Sequence, residues 1–330
     1  MKKTIKINGI TNSPTEKCFI EIGGIQQGFF LASENQENPI ILFLHGGPGN
    51  PELALLYRYI SSECLEKYFT VCYWDQRGTG MSFSKSIDPT TMTLEQMIED
   101  TRQITEYLKR RFNKEKIYLM GHSWGSFLGI KTIEKYPENY LAFFGIGQVT
   151  NQVESEKLAY DYMLQYAIEI NDKSAIRKLQ KFNKNASDFP TMEYIGTVRS
   201  ALTNKYGIGL IRENFSTARL IKNILFFKGY TLSEKIKLIQ GMPFSIEHLW
   251  DYVVSENLFE LSISFQVPVY IIHGKYDYLV SYTLSRKYFE IIEAPDKSFF
   301  TFEKSAHSPN AEEPEKFVEI VRQIALQLEN

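Results

Sequence analysis

Cysteine is scarce. Cys18, Cys64 and Cys72 are the only three in 330 residues. They form neither an even set nor a C-x-x-C pair, which excludes a disulfide framework and predicts buried thiols. A surplus of charge is also missing, with 37 Lys plus Arg against 39 Asp plus Glu, and no long basic or acidic block offers a nucleic-acid arm or a membrane-binding face. The apolar runs fall far short of a membrane span, and the lysines of MKKTIKINGITNSP are followed by no apolar h-region. The expectation is a cytoplasmic protein that acts on a small molecule or short peptide, with no nucleic-acid and no membrane partner; nothing in the sequence assigns an oligomeric state. Signatures of bound groups are absent too. There is no H-E-x-x-H and no cysteine-histidine cluster, GGPGNP lacks the Lys-Ser/Thr ending of a phosphate loop, and GIGQVT at residue 145 has only two spaced glycines. No metal and no cofactor are expected.

What the sequence does contain is an alternation of strand and helix patterns. CFIEIG and GFFLAS are short β-rich runs, and PIILFLHGGPG is a continuous apolar strand that stops in a glycine-proline turn. YFTVCYWDQRG repeats that arrangement. TLEQMIEDTRQITEYLKRRF reads as a helix capped by Thr93 with Gln96 three positions on. KIYLMGHSWG is the next strand, and WGSFLGIKTIEKYP the next helix, ended by Pro137. Continuous apolar strands joined by helices predict a doubly wound, mostly parallel α/β sheet covered on both faces. From 151 to 262 the pattern turns helical and rich in Lys, Glu, Tyr and Phe, before VPVYIIHGKYD restores the strands and SFFTFEKSAHS with EEPEKFVEIVRQIALQLEN closes the chain. The expected organisation is a core of residues 1–150 and 263–330 with a helical cap inserted at 151–262. A chain of this length can bury such a core.

Gly121-His122-Ser123-Trp124-Gly125 sits between a predicted strand and a predicted helix. Glycines there permit a turn too tight for side chains and hold the serine hydroxyl exposed at the carboxyl edge of the sheet. Alone, such a pentapeptide can be a strand-to-helix connection with an incidental serine. A nucleophile needs a base, however, and the base an acid, and the chain supplies both in that order beyond the serine. Asp277 follows the strand VYIIHGKYD, and His307, in FEKSAHSPN, lies just past the next strand, where active-site loops of such sheets belong. Of the five histidines, His45 and His122 belong to glycine turns, His273 precedes a glycine at a strand end and His248 falls in the cap; only His307 follows the acid. HGGPG, His45 to Gly49, ends an earlier strand where small residues let a backbone N–H reach a substrate oxygen. Gly47 and Trp124 are the expected oxyanion donors, and Gly46 an expected substrate contact. In DQRGTGMS, Asp75 and Arg77 are expected to brace the loop as an ion pair.

HGGPG, DQRGTGMS, GHSWGS, HGKYD and AHS, in this order, resemble the α/β-hydrolase superfamily and, within it, the proline iminopeptidase branch of serine aminopeptidases. The resemblance runs from residue 45 to 307 and implies a Ser123, Asp277, His307 triad, an oxyanion hole at Gly47 and Trp124, and a helical cap over the site. The tryptophan-glutamate segment usual in the cap of that branch is not found between 151 and 262. Two further readings therefore stay beside an aminopeptidase: a carboxylesterase, lipase or lactonase, and a non-catalytic binding member of the fold. The cap decides between the first two. Its candidates for gripping a substrate amine are Glu193, Glu213, Glu247, Asp251 and Glu256, while Phe215, Phe226, Phe227, Tyr230, Phe244 and Trp250 either shape an apolar pocket or form the cap's own core. Glu213, Glu247 and Trp250 are the foremost substrate contacts expected there.

Overall fold

The computed structural model describes residues 3–5, 15–56 and 63–328. Most of the N-terminal stretch searched for a targeting segment, and the last two residues of the segment read as a closing helix, lie outside them. Among the described residues nine strands form one sheet in the order β1-β2-β3-β5-β4-β6-β7-β8-β9. β1 (Lys3–Ile5), β2 (Thr15–Ile22) and β3 (Ile25–Ala32) are antiparallel and join β5 antiparallel. β5 (Thr70–Trp74), β4 (Ile40–Leu44), β6 (Ile117–His122), β7 (Tyr140–Ile146), β8 (Val269–Gly274) and β9 (Lys297–Phe302) run parallel. This is the doubly wound, mostly parallel sheet expected from the sequence.

The continuous apolar strands follow from burial on both faces, because successive side chains point to opposite sides. Ile40, Leu42 and Leu44 enter one core with the helices Leu94–Phe112, Trp124–Lys135 and Tyr282–Ile291. Ile41 and Phe43 enter the other with the helix Pro314–Leu328. The helix at Leu94 begins as expected, Thr93 Oγ1 accepting from the Gln96 N–H, but the Gln96 amide donates to Asp100 instead of returning to the cap. β7 is a strand that the sequence reading passes over, although its YLAFFGI is as apolar as the strands beside it. All three cysteines are buried free thiols.

Between β7 and β8 the chain is helical, from Gln152 to Leu261. Part of this insertion has its own core around Tyr160, Met163, Leu179 and Tyr194. The rest serves the sheet. Phe227 packs edge-on against Phe30, and Tyr230 stacks near it, so these two aromatics belong to the main core; Phe226 is exposed. Among the described residues no helix is long and apolar enough to cross a membrane.

The expected Asp75–Arg77 ion pair does not form. Gly78 and Gly80, both at positive φ, fold the loop back so that Asp75 Oδ2 accepts from the Met81 N–H at 2.8 Å and the Tyr230 hydroxyl at 2.6 Å. Burial, without a cation in contact, pushes the Asp75 pKa up to about 7. Arg77 turns away to a bidentate pair with Asp100, at 2.7 and 3.1 Å, and donates to the Gly23 carbonyl. Gln27 and Gln96 complete the acceptor set of Asp100, so one buried guanidinium ties the β2–β3 hairpin to the helix Leu94–Phe112. Arg77→Met leaves the Asp100 charge buried and should destabilise the fold by about 3–5 kcal/mol in denaturant unfolding, whereas Arg77→Met with Asp100→Leu recovers much of the loss. An unchanged midpoint in the single variant would contradict this.

Candidate active site

Ser123 lies at the junction of β6 and the helix Trp124–Lys135, with φ 56° and ψ −120°. A serine accepts this left-handed backbone only when its surroundings impose it. Here they do: a Cβ on Gly121 would run into the Gly125 backbone, and one on Gly125 into the Leu44 carbonyl at the end of β4. The turn is fastened by Ser123 N–H to the Ile146 carbonyl at 2.9 Å. Its hydroxyl opens on a cavity of about 150 Å³ lined by Gly46, Gly47, Ser123, Trp124 and His307, together with residues of the insertion.

His307 and Asp277 meet from two loops thirty positions apart. His307 Nδ1 donates to Asp277 Oδ2 at 2.7 Å. Asp277 Oδ1 accepts the N–H groups of Leu279 and Val280 at 2.9 Å each, and His273 Nε2 lies 3.1 Å from Oδ2. Burial alone would raise the Asp277 pKa, but its interactions with His307 and with the hydrogen-bonding His273 outweigh it and hold the carboxyl well below the ordinary carboxylate range. For His307, burial dominates over the attraction of Asp277, so its pKa lies below the ordinary 6.5. The ring is a neutral imidazole, its Nδ1 proton fixed by Asp277 and its Nε2 left as the basic nitrogen.

Two donors complete the arrangement. Among the described residues, neither the Gly47 N–H nor the Trp124 N–H donates to any protein group. Trp124 opens its helix, where amide groups have no partner within the helix. The Gly47 turn is held by His45, whose Nδ1 donates to the Gly46 carbonyl at 2.9 Å and whose Nε2 accepts from the Gln76 N–H at 3.2 Å. Burial keeps that imidazole neutral, its pKa lowered to about 4. Gln76 in turn accepts from the Trp124 indole at 2.9 Å, so both N–H groups hang from one buried network. A basic imidazole, a hydroxyl on a strained turn and two free N–H groups around one cavity can transfer an acyl group through a tetrahedral oxyanion.

Several participants carry no motif signal. Glu52, in the short helix Glu52–Leu56 after HGGPG, lines the cavity and is buried. Its Oε2 faces His122 Nδ1 at 2.9 Å and its Oε1 accepts from Asn310. His122 Nε2 faces the His307 carbonyl at 2.9 Å. Both ring nitrogens of His122 thus face acceptors and both donate, which makes an imidazolium paired with the Glu52 carboxylate. The charges agree: burial works against His122, yet Glu52 raises its pKa overall, and Glu52 is itself lowered because His122 outweighs its own burial. Asn50, Gln152, Arg199 and Trp250 also line the cavity.

The insertion's candidate carboxylates stay away from the cavity. Glu193, Glu213, Glu247 and Asp251 are exposed on its surface, and Glu256 pairs with Lys131 at 2.8 Å. For Glu213 and Glu247 the reason is helical phase or loop position: Glu247 shares a helix with Trp250 and Val253, but only those two turn inward. Phe215 joins a small cluster with Leu56, Ile211 and Ala311, and Phe244 packs on Phe83. Trp250 is the one aromatic of the insertion's expected set that reaches the cavity. Among the described residues, no group of three or more His, Cys, Asp or Glu is placed to hold a metal ion.

Gly147 marks how tightly the pair is enclosed. It has φ 55°, and a Cβ there would lie 2.9 Å from His307 Cε1 and 3.0 Å from Nδ1, while the His122 ring stands 4.8 Å from His307 on another side. Gly147→Ala should therefore push the ring off Asp277 and abolish the strongly deshielded Nδ1 proton signal that such a short charge-assisted bond gives in NMR. A retained signal in the folded variant would show that the ring has room to spare.

Comparison with known proteins identifies the fold. The model of the alpha/beta hydrolase fold matches residues 39–314. Over 303 residues the chain is 35% identical to a probable aminopeptidase, YbaC, of Bacillus subtilis (strain 168), covering 90% of this chain and 92% of that protein. Over 309 residues it is 26% identical to a proline iminopeptidase of Saccharolobus solfataricus, covering 93% and 91%. A proline iminopeptidase structure from Mycobacterium smegmatis superposes with a TM-score of 0.68 over 94% of this chain and 98% of that one, at 15% identity, a likeness of fold. The chain belongs to the family of the α/β-hydrolase fold.

Proposed function

We propose that this hydrolase works by two-step acyl transfer from Ser123 and that its substrates are short peptides from which it releases the N-terminal residue. The observation that carries the chemistry is the 2.7 Å His307–Asp277 pair beside a cavity that also holds the Ser123 turn and two free N–H groups. His307 Nε2 takes the Ser123 proton as Oγ attacks the carbonyl carbon, and Gly47 and Trp124 hold the oxyanion. The imidazolium, stabilised by Asp277, then protonates the leaving amine. Water, deprotonated by His307, releases the acyl group and restores the serine. The buried free thiols suit a cytoplasmic setting.

A phosphonate selective for activated serines should label Ser123 alone, and Ser123→Ala should lose at least about a thousandfold in rate. Asp277→Asn should lose roughly ten-thousandfold with the fold intact. Because burial depresses the His307 pKa below 6.5, the base form persists below that pH, and the acid limb of kcat/KM should fall on the acidic side of it. Labelling at another residue, or a limb well above 6.5, would remove Ser123 or His307 from these roles.

The aminopeptidase assignment is supported by the related protein named a probable aminopeptidase and by acceptors close to the oxyanion turn. Among the described residues, Glu52 is the one carboxylate lining the cavity, and the Oδ1 of Asn50 is buried without a partner. An ammonium in so enclosed a space needs such acceptors to offset its lost hydration. A second reading, hydrolysis of esters with no amine, is favoured by the absence of the insertion's candidate glutamates from the cavity. N-acetylation of a peptide substrate should lower kcat/KM by about a hundredfold or more, since it leaves Asn50 Oδ1 unmatched and removes the charge that would face Glu52. Equal turnover of free and acetylated substrates, or turnover of esters alone, would decide for the ester reading.

A further inference from the structure

Arg199 is the one arginine among the described residues lining the cavity, and its surroundings are unusual. It closes a π-helical turn, Ile195–Arg199, a local form that proteins retain mainly where a side chain must be placed for a purpose. Behind the cavity wall its Nε and Nη2 donate to Glu156 at 3.2 and 2.7 Å, and Nη2 also reaches the Leu279 carbonyl at 3.0 Å. Glu156 is fully buried. Two edges of the guanidinium are thereby fixed, and Nη1 makes no hydrogen bond among the described residues. Leu279 follows Asp277 by two positions and lines the same cavity, so the arginine is braced on the loop that bears the acid.

Two more groups of the same cavity lack partners. The Trp250 indole Nε1 is a buried donor with none, and the Gln152 Oε1 a buried acceptor with none. Gln152 is itself almost fully buried, and its amide orientation is set because Nε2 serves two acceptors, Glu156 Oε1 and the Leu279 carbonyl, at 2.8 Å each. Buried side-chain polar atoms are rarely left unmatched without a reason. A planar ligand with two acceptor oxygens would match the free N–H groups of Arg199 and Trp250, and guanidinium recognition of carboxylates is the commonest pairing of that geometry. The cavity volume of about 150 Å³ is below the roughly 300–1,000 Å³ of pockets for drug-sized ligands, so a substrate held here carries its charged group only a few bonds from the scissile carbonyl.

We propose that Arg199, seconded by the Trp250 indole, reads a carboxylate on the leaving side of the substrate, which makes di- and tripeptides with a free C-terminus the preferred substrate class. This rests on the peptidase reading above. Glu52 and Asn50 lie beside the proposed oxyanion turn, and Arg199 belongs to the insertion; a short zwitterion therefore finds an acceptor set on the core and a donor set on the insertion, within one cavity.

The test compares a dialanyl peptide with its C-terminal amide and with an amidated dipeptide carrying glutamate in second place, which separates a terminal carboxylate from a side-chain one. The free dipeptide should exceed its amide by about ten- to a hundredfold in kcat/KM, the worth of a charge-assisted contact in an enclosed site. Arg199→Gln should bring the two within about threefold of each other. Because that change also strands Glu156, the paired variant Arg199→Gln with Glu156→Gln is measured beside it and should give the same loss of preference. Glu156→Gln alone removes the counter-ion but keeps the guanidinium, and it should keep or widen the preference; a bracing role alone would instead lower all rates with no change of preference. Equal turnover of dipeptide and amide by the parent enzyme overturns the proposal, and preference for the glutamyl amide over the dialanyl peptide relocates the carboxylate to a side chain and overturns the C-terminal assignment. If no peptide is turned over, a nitrophenyl ester bearing a terminal carboxylate on its acyl chain is compared with a neutral one of equal length. A preference there sinks the peptidase reading and the leaving-side assignment while keeping carboxylate recognition by Arg199; no preference sinks both.

Discussion

The approach of three backbone segments at Gly121, Gly125 and Leu44 is the constraint on which the site rests. β6 and the helix after it touch without side chains between them, and the same helix presses on the end of β4. Ser123 absorbs the sharp turn at φ 56°, a conformation that costs a non-glycine residue roughly 1–3 kcal/mol and persists only where its surroundings over-determine it. Since Leu44 leads directly into the HGGPG turn, the contact that strains the serine also sets its distance from Gly47. The Ser123 hydroxyl and the proposed oxyanion donors are therefore spaced by main chain against main chain, the least compliant contact a protein has.

Charge buried in the surrounding shell follows a common pattern. Arg77 with Asp100, His122 with Glu52, and Arg199 with Glu156 each join segments distant in sequence. Every such pair is costly to break, because the survivor is left as a buried ion. They act as clamps more than as sources of net stability. His122 has a second consequence: a positive ring 4.8 Å from His307 works with burial to keep the neighbouring imidazole neutral, while Asp277 fixes its tautomer and, in the proposed mechanism, would stabilise the imidazolium.

Residues whose placement is written into the local backbone were legible in the sequence. Gly121, Ser123 and Gly125 announce a turn, and Asp277 and His307 stand just past strands in the order that the proposed chemistry requires. The parallel core was legible because strands buried on both faces read as unbroken apolar runs. β7 escaped only through its place between a proline-ended helix and a polar segment. Long-range pairings could not be read. Nothing near Arg77 points to Asp100 over Asp75, because the choice is made by two glycines that turn the Asp75 carboxyl onto the Met81 amide and the Tyr230 hydroxyl. Glu52, Asn50 and Arg199 lack a motif, and they reach the cavity through turns whose course depends on tertiary packing. The insertion misled for the same reason: a helix exposes most of its carboxylates, and which face turns inward is settled by what it packs on, here Trp250 and Val253 rather than Glu247.

Chain order adds a temporal side to this geometry. The Ser123 turn is finished once β7 has paired with β6, whereas Asp277 and His307 follow β8 and β9, beyond the entire helical insertion. A ribosome that has delivered the serine has still to deliver its proposed base, and the Gly209 carbonyl that receives the His307 amide comes from the stretch between. Under the proposed mechanism a nascent chain therefore carries a strained hydroxyl without its base, and a chain ending before His307 lacks the group that would activate it.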